Sequence, residues 1–256
     1  SLLIAIAAAG AWTLADVGEG ERVATASEAT QAPAVKRYVT KVGERLNVRL
    51  EDGSLVTLNT NSVMEVAFTP RRRDVRLLQG QGMFQVAKNS ERPFVVAAGD
   101  RRVTAVGTAF DVRIDAGRVR VVLAQGHVVV DPIRPDGLAR VLPALERVDL
   151  RPGEQLSKDI AGPASVSVAD VDRVLSWREG QVVFRDDDLA AAIKEMNRYS
   201  STQILIEDPG VADLKISGVF GVSRPENFLA AVTAFYPLEA RRRSEGAVVL
   251  TWRAGG

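Results

Sequence analysis

The side chains that could carry acid–base, nucleophilic or metal chemistry are few in this sequence. There is no cysteine, which excludes thiol catalysis, cysteine-bound zinc and a disulfide framework. The one histidine, His127, directly follows Gly126 at the start of an apolar run. No cluster of further ligand-type residues accompanies it, so a histidine at a turn is favoured over a metal ligand. The sequence therefore predicts no metal and no cofactor.

Charged clusters offer little more chemistry. The run Asp186–Asp188 could form a cation site, but three carboxylates just before an apolar helical pattern are typical of a helix N-terminus, where they cap it and favour the dipole. The runs Arg71–Arg73 and Arg241–Arg243 are interpreted as solvated faces, with steering of an acidic partner as an alternative for the second run. With 33 basic and 32 acidic residues the formal net charge is +1, which gives no reason to expect nucleic acid.

The elements that position these residues begin with a long β region. From residue 37 apolar residues alternate with polar ones, in short runs separated by turn residues. In its centre, residues 93–113 predict three short strands with a turn at Gly99-Asp100 and an unusual Gly107-Thr108 step between the second and third. We predict one all-β domain over 37–162, an antiparallel sandwich or a wound β stack.

A different pattern follows a predicted linker at 163–176. Strand-like runs alternate with two helical stripes, one with Leu189, Ala192, Ile193 and Met196 on one face, the other over Pro225–Phe235. Residues 177–253 are therefore predicted to form a small α+β module in which a β-α-β unit is repeated.

The N-terminal residues Ser1–Leu14 are apolar or small, without a charge before Asp16. A helix of this length rises about 20 Å, short of the ~30 Å hydrocarbon core. We interpret residues 1–15 as the remnant of a transmembrane helix; the apolar part of a signal peptide and a buried helix are the alternatives. Residues 16–36, rich in Ala, Gly, Glu, Ser and Thr, are predicted to be a flexible linker.

Several blocks of the β region resemble FecR-type regulators, the membrane-anchored partners of iron-uptake sigma factors. The matching residues are Tyr38-Val39-Thr40, Gly43-Glu44, Leu50-Glu51-Asp52-Gly53-Ser54, Leu58-Asn59, Val75-Arg76-Leu77, Gly80, Phe84-Gln85-Val86, Arg92-Pro93-Phe94-Val95-Val96, Val106-Gly107-Thr108-Ala109-Phe110-Asp111-Val112, Gly126, Val128 and Val130. Residues 177–252 resemble the family's C-terminal module, which is similar to the short N-terminal signalling domain of secretins and TonB-dependent receptors.

The resemblance implies an anti-sigma-type regulator, not a turnover enzyme. It would sit in the periplasm, anchored in the inner membrane by one span, and relay a signal from an outer-membrane TonB-dependent transducer to an extracytoplasmic-function sigma factor. The sigma factor would be bound by a cytoplasmic segment preceding Ser1. The transducer's signalling domain is expected to pair with a strand edge of the C-terminal module. The candidate residues are Gln203, Ile204, Leu205, Ile206, Lys215, Ile216, Val248, Val249 and Leu250.

The resemblance also gives the Gly107-Thr108 step a chemical interpretation, because some members of the family cut themselves at the matching bond. The Thr108 hydroxyl would attack the Gly107 carbonyl, and water would then hydrolyse the ester. The alternative is that Gly107 only forms a bulge between strands. For the whole chain, the alternatives are a structural or secretion-assembly module of the cell envelope, or a carbohydrate-active β domain. The last lacks a marked carboxylate pair or aromatic platform.

Overall fold

The computed structural model describes residues 34–133, 147–159, 162–244 and 246–253. The predicted membrane helix 1–15 and nearly all of the predicted linker 16–36 lie outside these residues. None of the helices in the described ranges is long and apolar enough to cross a membrane. Residues Pro33–Gly256 form one compact unit.

The first part of the described chain consists of strands. Their bounds are β1 Lys36–Val39, β2 Leu46–Arg49, β3 Leu55–Leu58, β4 Val63–Phe68, β5 Arg73–Gln85, β6 Phe94–Ala98, β7 Arg101–Ala105, β8 Ala109–Asp115, β9 Arg118–Gln125, β10 Val128–Pro132, β11 Val148–Leu150, β12 Glu154–Lys158 and β13 Ala164–Val168. The prediction of three strands within 93–113, with a turn at Gly99-Asp100, is confirmed by β6, β7 and β8.

The strands form two layers that share β5. The first half of β5 pairs with β4 and, in parallel, with β6. Its second half pairs antiparallel with β3 and β8. Gly80 lies at the change of layer with a φ of +85°, and a Cβ there would come within 2.2 Å of Ser62 Oγ. Only glycine satisfies both conditions, so it lets β5 bend from one layer into the other.

The remaining strands extend the two layers. One layer continues from β6 through β7 and β10 to β11, and the other from β8 through β9 and β12 to β13. Alternate side chains of both layers meet in one apolar core, in which Phe84 lies between Phe94 and Phe110 at centroid distances of 6.2 and 5.3 Å. The predicted all-β sandwich is confirmed, with the parallel β5–β6 pair as an exception to its antiparallel pairing.

The second part of the chain mixes helices and strands. Its elements are α1 Val171–Leu175, a 3-10 turn at Ser176–Glu179, β14 Gln181–Asp188, α2 Leu189–Asn197, β15 Ile204–Ile206, α3 Pro209–Ala212, β16 Lys215–Gly221, α4 Pro225–Phe235, β17 Leu238–Arg242 and β18 Val248–Trp252. They form a two-stranded sheet, β14-β16, and a three-stranded sheet in the order β15-β18-β17. The predicted β-α-β module is confirmed, and α4 has the predicted bounds.

Three local expectations need correction. The predicted linker 163–176 contains β13, which pairs with β12, and helix α1. Asp188 occupies the N-cap position of α2 without a capping hydrogen bond from its side chain, because its carboxylate binds Lys215 Nζ at 2.7 Å instead. Phe235, expected on the buried stripe of α4, is 87% exposed, at the last position of the helix.

The arginine runs behave differently from each other. Arg241–Arg243 are exposed, as expected. Arg73 is fully buried although Arg71 and Arg72 beside it are exposed, so the interpretation of Arg71–Arg73 as a solvated face is wrong at this residue. Arg73 starts β5 on its inward face, where Asp52 supplies a carboxylate.

Candidate functional site

The predicted Gly107-Thr108 step lies in the bend that joins β7 to β8. Gly107 has a φ of +71°, and a Cβ at this residue would come within 3.0 Å of Lys88 Cβ. The backbone carbonyl of Thr108 accepts a hydrogen bond from the Val86 N–H at 2.8 Å. The junction is therefore held in a conformation that favours glycine and is tied to the end of β5.

The Thr108 side chain at this junction is buried, with 5% of the residue exposed. Among the residues that the structure describes, its Oγ1 has no hydrogen-bond partner. A buried hydroxyl normally finds a partner, so this one is unusual.

His127, the other residue considered for chemistry, is on the surface. Its Nε2 lies 3.1 Å from Asp149 Oδ1, and both side chains are more than half exposed. Within the described part of the chain no group of His, Asp and Glu side chains is arranged to hold a metal. The interpretation of His127 as a histidine at a turn fits this position.

Apart from Gln203, which directly precedes β15, the predicted partner-binding residues lie on three strands with different backbone environments. Val248, Val249 and Leu250 belong to β18, which pairs with β15 on one side and β17 on the other. Because both edges of β18 are used, it cannot accept a further strand. Ile204 in β15 already exchanges two 2.8 Å hydrogen bonds with the Asn197 side-chain amide.

The third strand, β16, has an open edge. Among the described elements it pairs only with β14. The Val222 N–H donates to Gly180 O at 2.9 Å, and by the alternation of an antiparallel ladder the N–H and C=O of Val219 face away from β14. Of the sequence-predicted strands, β16 is thus the one that can accept another strand, at Val219. At its start the Lys215 carbonyl already accepts a hydrogen bond from the Tyr236 hydroxyl.

An apolar groove runs between this edge and α4. It measures about 280 Å³, and its walls include Ile216, Phe220, Val232 and Phe235. Val219 and Phe235 are 58% and 87% exposed, and residues 216–221 carry no charge. Natural sheets usually protect an exposed edge with charges, so this combination is characteristic of an interaction edge.

A second feature joins the β sandwich to the α+β module. The outer face of the layer that contains β3, β5 and β8 is covered by α2 and the turn around Trp177. We call the buried and partly buried side chains at this contact the polar layer. Its members are Asn59, Gln81, Asp111, Arg113, Trp177, Glu195, Arg198 and Tyr199.

Hydrogen bonds cross the polar layer along its whole length. Trp177 Nε1 donates to Asp111 at 3.3 Å. Arg113 binds Glu195 at 2.7 Å, and Arg198 donates to Gln81 Oε1 at 3.0 Å. Asn59, Gln81, Asp111, Trp177 and Tyr199 are buried, and Arg113, Glu195 and Arg198 are partly buried. The α+β module is thus fixed on the sandwich by directional contacts.

Burial and neighbouring charges shift the pKa values of both carboxylates in the polar layer. Burial raises the pKa of Asp111, against the nearby charge of Arg120 and the hydrogen bond from Gln81. Burial acts on Glu195 in the same direction, but the charges of Arg198 and Arg113 outweigh it and hold its pKa below the ordinary value. Glu195 is thus kept ionised by its two arginines.

The sequence analysis did not find the polar layer. The alternation correctly places Phe110 and Val112 on the core face of the strand and Asp111 and Arg113 on the opposite face. It predicts that this opposite face is exposed to solvent. The face is instead covered by a helix more than seventy positions later in the printed sequence, and local periodicity carries no signal for that. An aspartate between two core residues, Phe110-Asp111-Val112, was the available hint.

Comparison with known proteins identifies the class of the sandwich. Residues 36–129, from β1 to the start of β10, match the model of the family described as FecR protein. This part of the chain is therefore a FecR domain, as the sequence analysis expected. No curated protein matches the chain.

Solved structures extend the similarity beyond the FecR domain. The chain resembles a candidate anti-sigma factor from Parabacteroides distasonis ATCC 8503 in two crystal structures. The structure at 2.50 Å resolution is 25% identical with a TM-score of 0.69, and covers 86% of this chain and 99% of that chain. The structure at 1.65 Å is 24% identical with a TM-score of 0.70, and covers 85% and 99%. The covered range means that the α+β module as well as the FecR domain has this fold.

Proposed function

We propose that this chain is a regulator of the anti-sigma type that acts in the periplasm and is anchored in the inner membrane. The observation that carries the proposal is the FecR domain at residues 36–129, together with the similarity of 86% of the chain to a candidate anti-sigma factor.

The finer proposal is that it relays a signal from an outer-membrane TonB-dependent transducer to an extracytoplasmic-function sigma factor. The context that the family resemblance implies is iron or siderophore uptake. The sigma factor would be bound by a cytoplasmic segment preceding Ser1, and the transducer's signalling domain by the α+β module.

We assign the contact with the transducer to the open edge of β16. A strand of the signalling domain would pair with the outward N–H and C=O of Val219, and its inward side chains would lie in the groove beside Phe235. The other edges support this choice: Asn197 occupies the edge of β15 at Ile204, and β17 carries the charged side chains of Glu239 and Arg241.

The test is a titration of the full chain with the purified signalling domain of a TonB-dependent transducer. Phe235→Ser removes a ring that is 87% exposed, and Val168→Ser on β13 removes a side chain that is 85% exposed. We expect Phe235→Ser to weaken binding about tenfold or more, as loss of an aromatic anchor does, and Val168→Ser to leave it unchanged.

Val219→Pro tests the strand pairing itself. Its N–H faces the open edge, so proline removes a donor that a docked strand needs while the ladder with β14 remains. Binding should be abolished with an unchanged circular dichroism spectrum. No binding by the unaltered chain, or full binding by Phe235→Ser and Val219→Pro, would reject the assignment.

A second activity is favoured by the junction at Gly107-Thr108, and we propose that the chain cuts itself there once. The Thr108 Oγ1 forms a bond to the Gly107 carbonyl carbon, the C–N bond breaks, and the hydroxyl proton goes to the released amine. Water then hydrolyses the ester, which gives a Gly107 carboxylate and restores the hydroxyl. The positive φ of Gly107 and the unpartnered hydroxyl of Thr108 support this step.

Intact-mass analysis tests the cleavage. The unaltered chain and Thr108→Ser should give two fragments that separate only in denaturant, because sheet pairs join the two sides of the junction. Thr108→Ala should remain one species. A single full-length mass for the unaltered chain after long incubation would disprove the activity.

A further inference from the structure

Several contacts that hold the α+β module lie on one strand of the FecR domain, β8, and others reach Arg45, Thr60 and Gln81. On one face of β8, Asp111, Arg113 and Asp115 follow each other at every second residue. Each contacts the module: Trp177 donates to Asp111 at 3.3 Å, Glu195 binds Arg113 at 2.7 Å, and Lys194 lies 3.4 Å from Asp115. Both ends of β8 are therefore attached to the module.

The same strand begins directly after the Gly107-Thr108 junction. Residue Ala109 is the first of β8, and it pairs with Gln85 of β5. With Thr108 O held by the Val86 N–H, no free loop separates the junction from the strand. A displacement of β8 would therefore also displace the Gly107-Thr108 junction.

Few ladders join the chain before the junction to the chain after it. In the described residues these are β5 with β8, and β7 with β10. The α+β module contacts the ladder of β5 with β8 directly, through the polar layer. Loss of the polar layer takes the Glu195 carboxylate from Arg113 and the Trp177 donor from Asp111, and leaves them with Asp115 and Gln81 as partners. The lost hydrogen bonds favour opening of the strand.

We propose that β8 is a mechanical link: the polar layer holds it in the sheet, and displacement of the α+β module loosens β8, and with it the Gly107-Thr108 junction, before the rest of the sandwich. The physiological displacement rests on the proposed function, since the transducer would supply it by binding the module. The link itself requires neither the transducer nor a cut bond.

Hydrogen–deuterium exchange of the full chain tests the link. Arg113→Gln and Glu195→Gln break its central ion pair. Loss of a buried, charge-assisted hydrogen bond should raise exchange of the amides at 109–115 about tenfold. Exchange at β6 and β7 should change less than about twofold. The matched control is Glu239→Gln in the same module, which breaks the Glu239–Arg241 pair far from β8 and should leave β8 unchanged.

A milder variant keeps the test valid if the buried substitutions prevent folding. Lys194 is 66% exposed, so Lys194→Gln should fold and raise exchange of β8 about twofold, as expected for a weak surface pair. Unchanged amide exchange at 109–115 in Arg113→Gln, Glu195→Gln and Lys194→Gln would overturn the proposal. An equal rise over 94–105 and 109–115 would also overturn it, because it would mean global loosening. The titration with the signalling domain is a separate measurement. The proposed contact with the transducer and the proposed link can therefore each fail while the other holds.

Discussion

Arg73 and Asp52 form a buried ion pair that joins the start of β5 to the β2–β3 turn. Arg73 Nη1 lies 2.6 Å from Asp52 Oδ2, and the two side chains are 0% and 7% exposed. The same guanidinium donates to the carbonyls of Arg92 and Ala87 at 2.7 and 2.9 Å. A single arginine therefore fixes two loops at one end of the sandwich.

The first prediction concerns the stability that depends on this pair. Asp52→Asn leaves a buried guanidinium without its counter-charge and should lower the free energy of unfolding by about 3 kcal/mol. The matched control is the exposed neighbouring pair, Arg72 with Asp74 at 3.0 Å, where Arg72 is 61% exposed. Arg72→Gln should change stability by less than about 1 kcal/mol. Urea unfolding measures the change in stability of both variants, and equal changes would contradict the prediction.

The second prediction concerns acid. Because the folded pKa of Glu195 is lowered, its contribution to stability is complete above its unfolded pKa of about 4.3 and is lost as the pH falls through the folded pKa. Asp111 acts in the opposite sense: its pKa is raised in the fold, so its contribution declines as the pH rises through that value. Glu195→Gln should therefore flatten the fall in unfolding free energy below about pH 4.3.

Denaturant unfolding at several pH values between neutral and acid measures this effect. Asp52 also has a lowered pKa in the fold, so part of the acid sensitivity should remain in Glu195→Gln. An acid profile parallel to that of the unaltered chain would contradict the assigned role of Glu195.

The third prediction separates two requirements for glycine. Gly107 and Gly53 both have positive φ angles, +71° and +84°, but only Gly107 has an atom near its hypothetical Cβ, Lys88 Cβ at 3.0 Å. Gly53→Ala should lower the free energy of unfolding by about 1 kcal/mol through backbone strain alone. Gly107→Ala should lower it further, because Lys88 must also move. Thermal unfolding of the two variants measures both effects. Equal decreases in melting temperature would contradict the prediction, because they would mean that Lys88 moves aside at no cost.

The fourth prediction uses Trp177, which is 3% exposed and donates to Asp111. Trp177→Phe should leave the Asp111 carboxylate with one donor fewer and lower the free energy of unfolding by about 2 kcal/mol. Trp252, which is 41% exposed, provides the control, and Trp252→Phe should have a much smaller effect. Guanidinium unfolding followed by circular dichroism measures both, and a neutral Trp177→Phe would show that the polar layer adds little stability.

The parts of the fold that local pattern determines could be predicted from the sequence. The stripe of Leu189, Ala192, Ile193 and Met196 is buried on α2 as the helical period requires. The Gly107-Thr108 step also lies between two strands, where the break in alternation placed it.

The rest depended on packing between distant segments. A run of three arginines does not show that Arg73 will meet Asp52, and an alternating strand does not reveal that α2 will cover Asp111. The order of strands is likewise absent from local pattern, which is why the central strand β18 was proposed beside the open edge of β16. Tertiary neighbours decide these outcomes, not propensity.

The strand β5 has a consequence for how the FecR domain unfolds. Since Arg73–Gln85 contributes backbone hydrogen bonds to both layers, one layer cannot melt while the other keeps its full set of pairs. The two layers are therefore expected to lose structure in a single cooperative transition, with coincident midpoints from every spectroscopic probe.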